Sequence, residues 1–157
     1  VAAASIFTEK EQAFLRELVR ERVDFMIVGL AAAALQGAPA VTQDIDLWFR
    51  DLADPHLREA LKRVGGVYIP PTASTPPMLG GKNVALFDIV VTMHGLEGFD
   101  REIENAIEVE IGGTKLKVLS LERIIASKKA TNREKDRLVL PVLEDAAATL
   151  RDRRRRK

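Results

Sequence analysis

Two acids stand one residue apart in the run Thr42-Gln43-Asp44-Ile45-Asp46-Leu47-Trp48-Phe49. Alternate side chains of a strand share a face, so Asp44 and Asp46 project one way while Ile45 and Leu47 project the other. Ionised carboxylates that close repel each other unless something neutralises them. A divalent cation does so, and hard oxygen donors suit Mg²⁺ (or Mn²⁺). A third acid, Asp88, interrupts the apolar run Leu86-Phe87-Asp88-Ile89-Val90-Val91. A lone ionised carboxylate in a core strand carries a large desolvation cost unless it is paired or bound to metal. If its strand lies beside that of residues 44–46, the three acids converge on one edge. Such a cluster holds one or two Mg²⁺ ions for phosphoryl chemistry, the ions about 3.5–4 Å apart. Taken singly, each acid reads equally well as a surface residue at a strand end.

Gly29 supplies a second component. The run Phe25-Met26-Ile27-Val28 reads as a buried strand, Gly29 ends it, and Ala31 to Gln36 favours a short helix. A strand, a glycine and a helix start together offer backbone N–H groups to a phosphate. Every strand-to-helix turn has this form, so the feature is weak alone. Gly37 reads as a plain helix stop, with Pro39 just beyond.

The elements that must position these residues follow from periodicity and punctuation. Thr8 with Glu11 forms a capping box for a first helix over residues 9–21. Residues 44–50 form the acid-bearing strand. Asp54-Pro55 starts a helix that runs to about Arg63 and stops at Gly65-Gly66. Residues 69–83 carry four prolines and two glycines, which predicts a long binding or lid loop. Residues 84–93 read as one strand. Residues 107–111 and 115–119 flank Gly112-Gly113-Thr114 as a hairpin. Ser120, with Arg123 where a capping box has an acid, begins a helix to about Ala130. A last helix runs from near Arg133 towards Arg151, with Pro141 predicted to kink or break it. The order predicts a mixed α/β domain: one small sheet, helices packed on it, and two helices at the C-terminal end.

Length and composition set the frame. The 157 residues fit one domain with a sizeable core, 46% hydrophobic and 30% charged. We divide the chain into one domain over residues 1–150 and a basic tail over 151–157. The tail holds six basic residues and one acid, so the net charge of +1 leaves −4 on the remainder. Such a tail attracts phosphate backbones, or it is a solvated helix end whose cations complement the helix dipole. No cysteine is present, which excludes disulfides and thiolate metal sites and suits a cytoplasmic protein. No apolar run approaches the roughly 20 residues of a membrane span, and Val1 to Ala4 lack the flank and core of a signal peptide.

Val28-Gly29, a short helix, Gly37, Thr42, Asp44-Ile45-Asp46-Leu47 and a later Asp88 together resemble the nucleotidyltransferase superfamily. The chain is most similar to the AbiEii-like and minimal nucleotidyltransferase proteins, many of them toxin–antitoxin components. Residues 119–130, followed by Arg133 and Lys135-Asp136, resemble the helix and turn that follow the catalytic sheet in that group. The resemblance spans roughly residues 25–143. It implies a nucleotidyltransferase-like fold and transfer of a nucleoside monophosphate from an NTP to a hydroxyl on RNA (tRNA included), protein or a small molecule. It also implies that Asp44, Asp46 and Asp88 are metal-binding and catalytic. Gly29, Leu30, Thr42, Lys128 and Arg133 match nucleotide-binding positions, and Asp136 one that orients a base. For Lys128, Arg133 and Asp136 the alternative is an exposed helix face with local ion pairs.

Three positions depart from the pattern. Leu30 stands where the family has a second Gly or Ser, Ala40 where relatives often carry Arg, and Gln36 where they carry His. Loss of a cation beside a triphosphate weakens stabilisation of transition-state charge. A rival reading is therefore a non-catalytic module on the same fold, regulating a toxin partner or binding RNA. Antibiotic modification is a third reading, against which the short chain argues. His56 and His94 read as structural or exposed, and Trp48 as core rather than a base-stacking platform.

Overall fold

The computed structural model describes residues 6–157; the N-terminal Val1 to Ala4 segment lies outside the described residues. Helix α1 (Glu9–Arg20) starts where the Thr8 N–H donates to the Glu11 carboxylate at 3.0 Å, and it buries Phe14, Leu15 and Leu18. Strand β1 (Phe25–Val28) is buried throughout. Helix α2 (Gly29–Leu35) follows at once and stops at Gly37, whose φ of +95° only glycine adopts easily. Strand β2 (Ile45–Phe49) and helix α3 (Pro55–Arg63) come next, the latter capped by the Asp54 carboxylate accepting from the His56 N–H.

Strands β3 (Val67–Ile69) and β4 (Met78–Gly80) form a separate two-stranded ribbon. The chain continues through β5 (Phe87–Val90), short α4 (Phe99–Glu102), a 3₁₀ turn at Ile103–Asn105, and β6 (Ile107–Ile111). Strand β7 (Thr114–Val118) and helices α5 (Leu121–Thr131) and α6 (Glu134–Arg155) complete it.

The main sheet has the order β5-β2-β1-β7-β6. β1 runs antiparallel to β2 and parallel to β7, β2 is parallel to β5, and β6 is antiparallel to β7. This is the predicted class: one small mixed sheet with helices packed on it and two helices at the end. Register sorts the two faces. Ile27 opposes Leu47, and Ile45 opposes Phe87; this face meets α1, where the Phe14 ring packs edge-on against Phe87 at 5.0 Å. Val28 opposes Asp46, which in turn opposes Asp88. On that second face Trp48 is core, 5.7 Å from the Phe99 ring.

Several boundaries differ from the sequence reading. Residues 69–83 are not one loop, because the β3–β4 ribbon occupies both ends of the stretch. The strand expected over residues 84–93 shrinks to Phe87–Val90: the Phe87 N–H donates to the Val84 carbonyl at 3.1 Å, which closes a turn. β5 is an edge strand and Asp88 is exposed, so the burial inferred from its apolar neighbours does not hold. Pro141 neither breaks nor ends α6. It lies on an exposed stretch, with Arg137 one turn earlier, where water can satisfy the carbonyl that a proline leaves unbonded. Residues 151–155 of the basic tail form the end of that helix. Helix α4 was not anticipated; its anchor is the buried Phe99 after Gly98.

Candidate active site

Asp46 and Asp88 are register partners on neighbouring parallel strands, with backbones about 4.8 Å apart. Partners in such a pair share a face. Asp44 precedes β2 by one residue and alternates back to that side. The Thr42 hydroxyl accepts from the Asp44 N–H at 3.2 Å and donates to the Asp44 carbonyl at 3.0 Å. Thr42 therefore shapes the backbone that presents Asp44. Asp44 and Asp88 are exposed and Asp46 is half-buried.

The three acids sense one another. Burial, then the charges of Asp88 and Asp44, pushes the Asp46 carboxyl above its ordinary range, while Lys128 and Lys135 pull it back. Asp88, though exposed, is raised likewise, by partial desolvation beside the neighbouring strand and then by Asp44. All-oxygen donors carrying mutually unfavourable charge are the donor set a hard divalent cation relieves. By donor chemistry the three acids suit such an ion. Among the described residues, no three Asp, Glu, His or Cys side chains are drawn together tightly enough to form a finished metal cage.

Gly29 is fixed here by two requirements. Its φ is +69°, and a Cβ at this position would overlap the Asp46 carboxylate oxygen Oδ2. Only glycine lets the backbone pass this close to the acid. Leu30, next in the chain, is half-buried and packs against the core.

The helical side supplies cations. Asp136 is fully buried. It accepts from Lys128 Nζ at 3.2 Å, from Arg133 Nε at 2.9 Å and Nη2 at 3.3 Å, and from the Arg133 N–H at 3.1 Å. The Arg133 hydrogen bonds, ahead of those from Lys128, hold this carboxyl well below its ordinary range against the opposing effect of burial. Lys128 thus bridges two carboxylate environments, bonded to Asp136 while its charge acts on Asp46. Arg133 is turned to Asp136, and its own side chain is half exposed. Lys135 was not singled out from the sequence as a site residue. Its signal was its place in the first turn of α6, seven residues after Lys128.

Gln36, one of the departures, has a clear structural use. Its amide donates to the Leu119 carbonyl at 2.8 Å and the Ala32 carbonyl at 3.0 Å, and accepts from the Leu121 N–H at 2.9 Å. Ser120 makes no side-chain cap for α5; Gln36 does that work from across the fold. Arg123, read as half of a local cap, instead makes two hydrogen bonds, at 2.9 and 2.7 Å, to the buried Glu102. Ala40, another departure, lines an apolar cleft of about 430 Å³ with Val41, Thr42, Ile45 and Leu86. His94 is exposed, and His56 is engaged with its own cap residue Asp54.

No curated protein sequence matches the chain significantly. Among solved structures, the chain is similar to ANT(2'')-Ia in complex with adenylyl-2''-tobramycin, with a TM-score of 0.56 at 16% identity over 91% of this chain and 95% of that one. It is also similar to the solution structure of the antibiotic-resistance factor ANT(2'')-Ia, with a TM-score of 0.55 at 18% identity over 92% of this chain and 90% of that one. An antigenic nucleotidyltransferase-like protein from Paracoccidioides brasiliensis gives 0.52 at 16% identity, over 92% and 88%. These likenesses concern the fold. Residues 8–153 match the profile of a family described as nucleotidyl transferase of unknown function (DUF2204). With the carboxylate face, its glycine and its lysines in one place, and nearly the whole length matched, the chain belongs to this nucleotidyl transferase family.

Proposed function

We propose that the chain is a metal-dependent nucleotidyltransferase that moves a nucleoside monophosphate from an NTP to a hydroxyl acceptor. The observation that carries this reading is the register of Asp46 with Asp88 beside Gly29. Asp44, Asp46 and Asp88 would hold Mg²⁺ or Mn²⁺. A bound divalent ion neutralises phosphate charge and favours ionisation of the acceptor hydroxyl. Lys128 and Lys135 add positive charge on the same side, where it offsets the negative charge of a triphosphate. Gly29 leaves room at the backbone beside Asp46. In the reaction the bond from the α-phosphorus to the pyrophosphate oxygen breaks and a bond to the acceptor oxygen forms. The acceptor's proton leaves to solvent or to a carboxylate.

The acceptor is RNA, protein or a small hydroxylated molecule. The length argument against a small acceptor falls away, because this chain covers 95% of a solved chain in complex with adenylyl-tobramycin. The AbiEii-like resemblance, with a toxin–antitoxin partner, rests on sequence alone. A second reading is favoured by Leu30 and by the apolar cleft at Ala40: a module on this fold that binds RNA or a partner protein without catalysis. Among the described residues no helix is long and apolar enough to cross a membrane.

Transfer of label from each α-³²P NTP, with Mg²⁺, onto RNA, cell protein and aminoglycosides separates these readings. Label that requires intact Asp46 supports the enzyme and names its acceptor class. Equal label from an Asp46→Asn variant, or none beside a working relative, overturns it.

A further inference from the structure

Helix α6 carries one stripe from the carboxylate edge to the basic end of the chain. Lys135 and Arg153 are eighteen residues apart on it. That is five turns at about 3.6 residues each, so they stand on one line about 27 Å long. Leu138, Val142 and Thr149 fall on the same side, at helical spacings of three, four and seven. Lys135 bears on Asp46 at one end, and Leu138, beside it, is 76% exposed.

A groove follows the far half of this stripe. A cavity of about 310 Å³ lies between Val142, Thr149 and Arg153 on one wall and Gln36, Gly37 and Pro39 on the other. It shares Gln36, Gly37, Leu150 and Arg153 with a cavity of about 600 Å³ over the β6–β7 end of the sheet, which Arg154 also lines. The wall facing α6 continues in the chain from Pro39 through Thr42 to Asp44. Both walls therefore lead from the arginines to the carboxylates.

Charge restricts the occupant. Residues 151–157 hold six basic residues and one acid. Their side chains are all exposed, and among the described residues none is in an ion pair. Glu108 and Glu110 stand in register with Lys117 and Lys115, so their charges are offset on the sheet itself. Asp145 lies midway along the groove, which leaves the grip on an anion to the arginine end. A small hydroxylated molecule at the carboxylates cannot reach that end. A single RNA strand carries a charge on every nucleotide and a hydroxyl at its terminus, and about eight stacked nucleotides span 27 Å.

We propose that the groove beside α6 is a track for single-stranded RNA, held at Arg153 and Arg154, with its 3′-terminal hydroxyl at Asp44, Asp46 and Asp88. The chemistry at that hydroxyl rests on the nucleotidyltransferase reading. The hydroxyl oxygen bonds to the α-phosphorus of the NTP, pyrophosphate leaves, the proton passes to solvent or a carboxylate, and the strand grows by one nucleotide.

The test is fluorescence anisotropy of 5′-labelled RNA strands with Mg²⁺ and no NTP, so that binding is read apart from transfer. Strands of about four and about twelve nucleotides are compared, the shorter unable to span the track. The longer should bind at least about tenfold more tightly. Arg153→Ala/Arg154→Ala, on exposed positions, should abolish that advantage. It should also lower the salt slope by about 1.4, from two single-strand contacts at about 0.7 each. Thr149→Glu puts negative charge in the groove and should weaken the longer strand about tenfold. Ala148→Glu, exposed on another side of α6, should not. If Thr149→Glu unfolds by circular dichroism, the arginine pair decides alone. RNA bound in this way that takes no label from any NTP would overturn the nucleotidyltransferase reading and leave the track standing. Binding indifferent to strand length, to the arginine pair or to a folded Thr149→Glu, or equal competition by an acidic peptide, overturns the track.

Discussion

The Asp46 carboxylate occupies the space that a Cβ on residue 29 would fill, and Gly29 holds a φ of +69° to allow it. The two residues are one device: the glycine exists in this form because the acid is there. Gly29→Ala should destabilise the chain by about 1–3 kcal/mol, from backbone strain and the displaced acid. In an Asp46→Ala background the overlap is gone, so the loss should shrink towards the strain alone. Urea midpoints of wild type, the two single variants and the double variant give the coupling. Additive losses would show that the residues do not interact.

Asp46 itself should trade stability for its chemistry. Its carboxyl binds a proton more readily folded than unfolded, through burial and the charges of Asp88 and Asp44. Stability therefore falls as pH rises from the ordinary value of 3.8 through the raised folded value. Asp46→Asn should be more stable than wild type at neutral pH, by about 1 kcal/mol. That advantage should vanish below the ordinary value. Transfer activity should drop about a hundredfold or more.

Addition of Mg²⁺ should raise the melting temperature of wild type and leave Asp46→Asn unmoved. An ion that binds only the folded chain stabilises it by about 2.7 kcal/mol at a hundredfold excess over its dissociation constant. Equal shifts in both proteins would place the ion elsewhere.

Asp136 carries the opposite sign. Its folded carboxyl is held far below the ordinary range, chiefly by Arg133, so its contribution is present above 3.8 and is lost as pH falls below that value. Wild type should show an acid-unfolding phase there that Asp136→Asn lacks. Removing this buried acid leaves Lys128 and Arg133 without their partner, and should cost about 3–5 kcal/mol at neutral pH.

Gln36→Ala should lose about 1–3 kcal/mol, since it strips partners from Leu119, Ala32 and Leu121 together. Gln36→Glu should not restore it. A carboxylate still accepts from the Leu121 N–H but cannot donate to the two carbonyls. Denaturation of both variants checks this; full rescue by Glu would mean that the cap alone matters.

Much of this protein was written locally. The alternation at residues 44–49, the Thr8–Glu11 cap and the two-glycine turn at 112–113 each follow from steric or hydrogen-bonding rules acting over a few residues. The strand-glycine-helix turn and the two acids were therefore legible, as was the order of the larger elements. What sequence could not decide was which strands become neighbours. β5 was read as buried because its residues are apolar, yet sheet order made it an edge and left Asp88 in water. Gln36 looked like a loss because its partners, Leu119 and Leu121, lie more than eighty residues away. Lys135 gained its bearing on Asp46 only when α6 packed back against α5. Local chemistry chose the side chains; long-range packing chose which of them share a field.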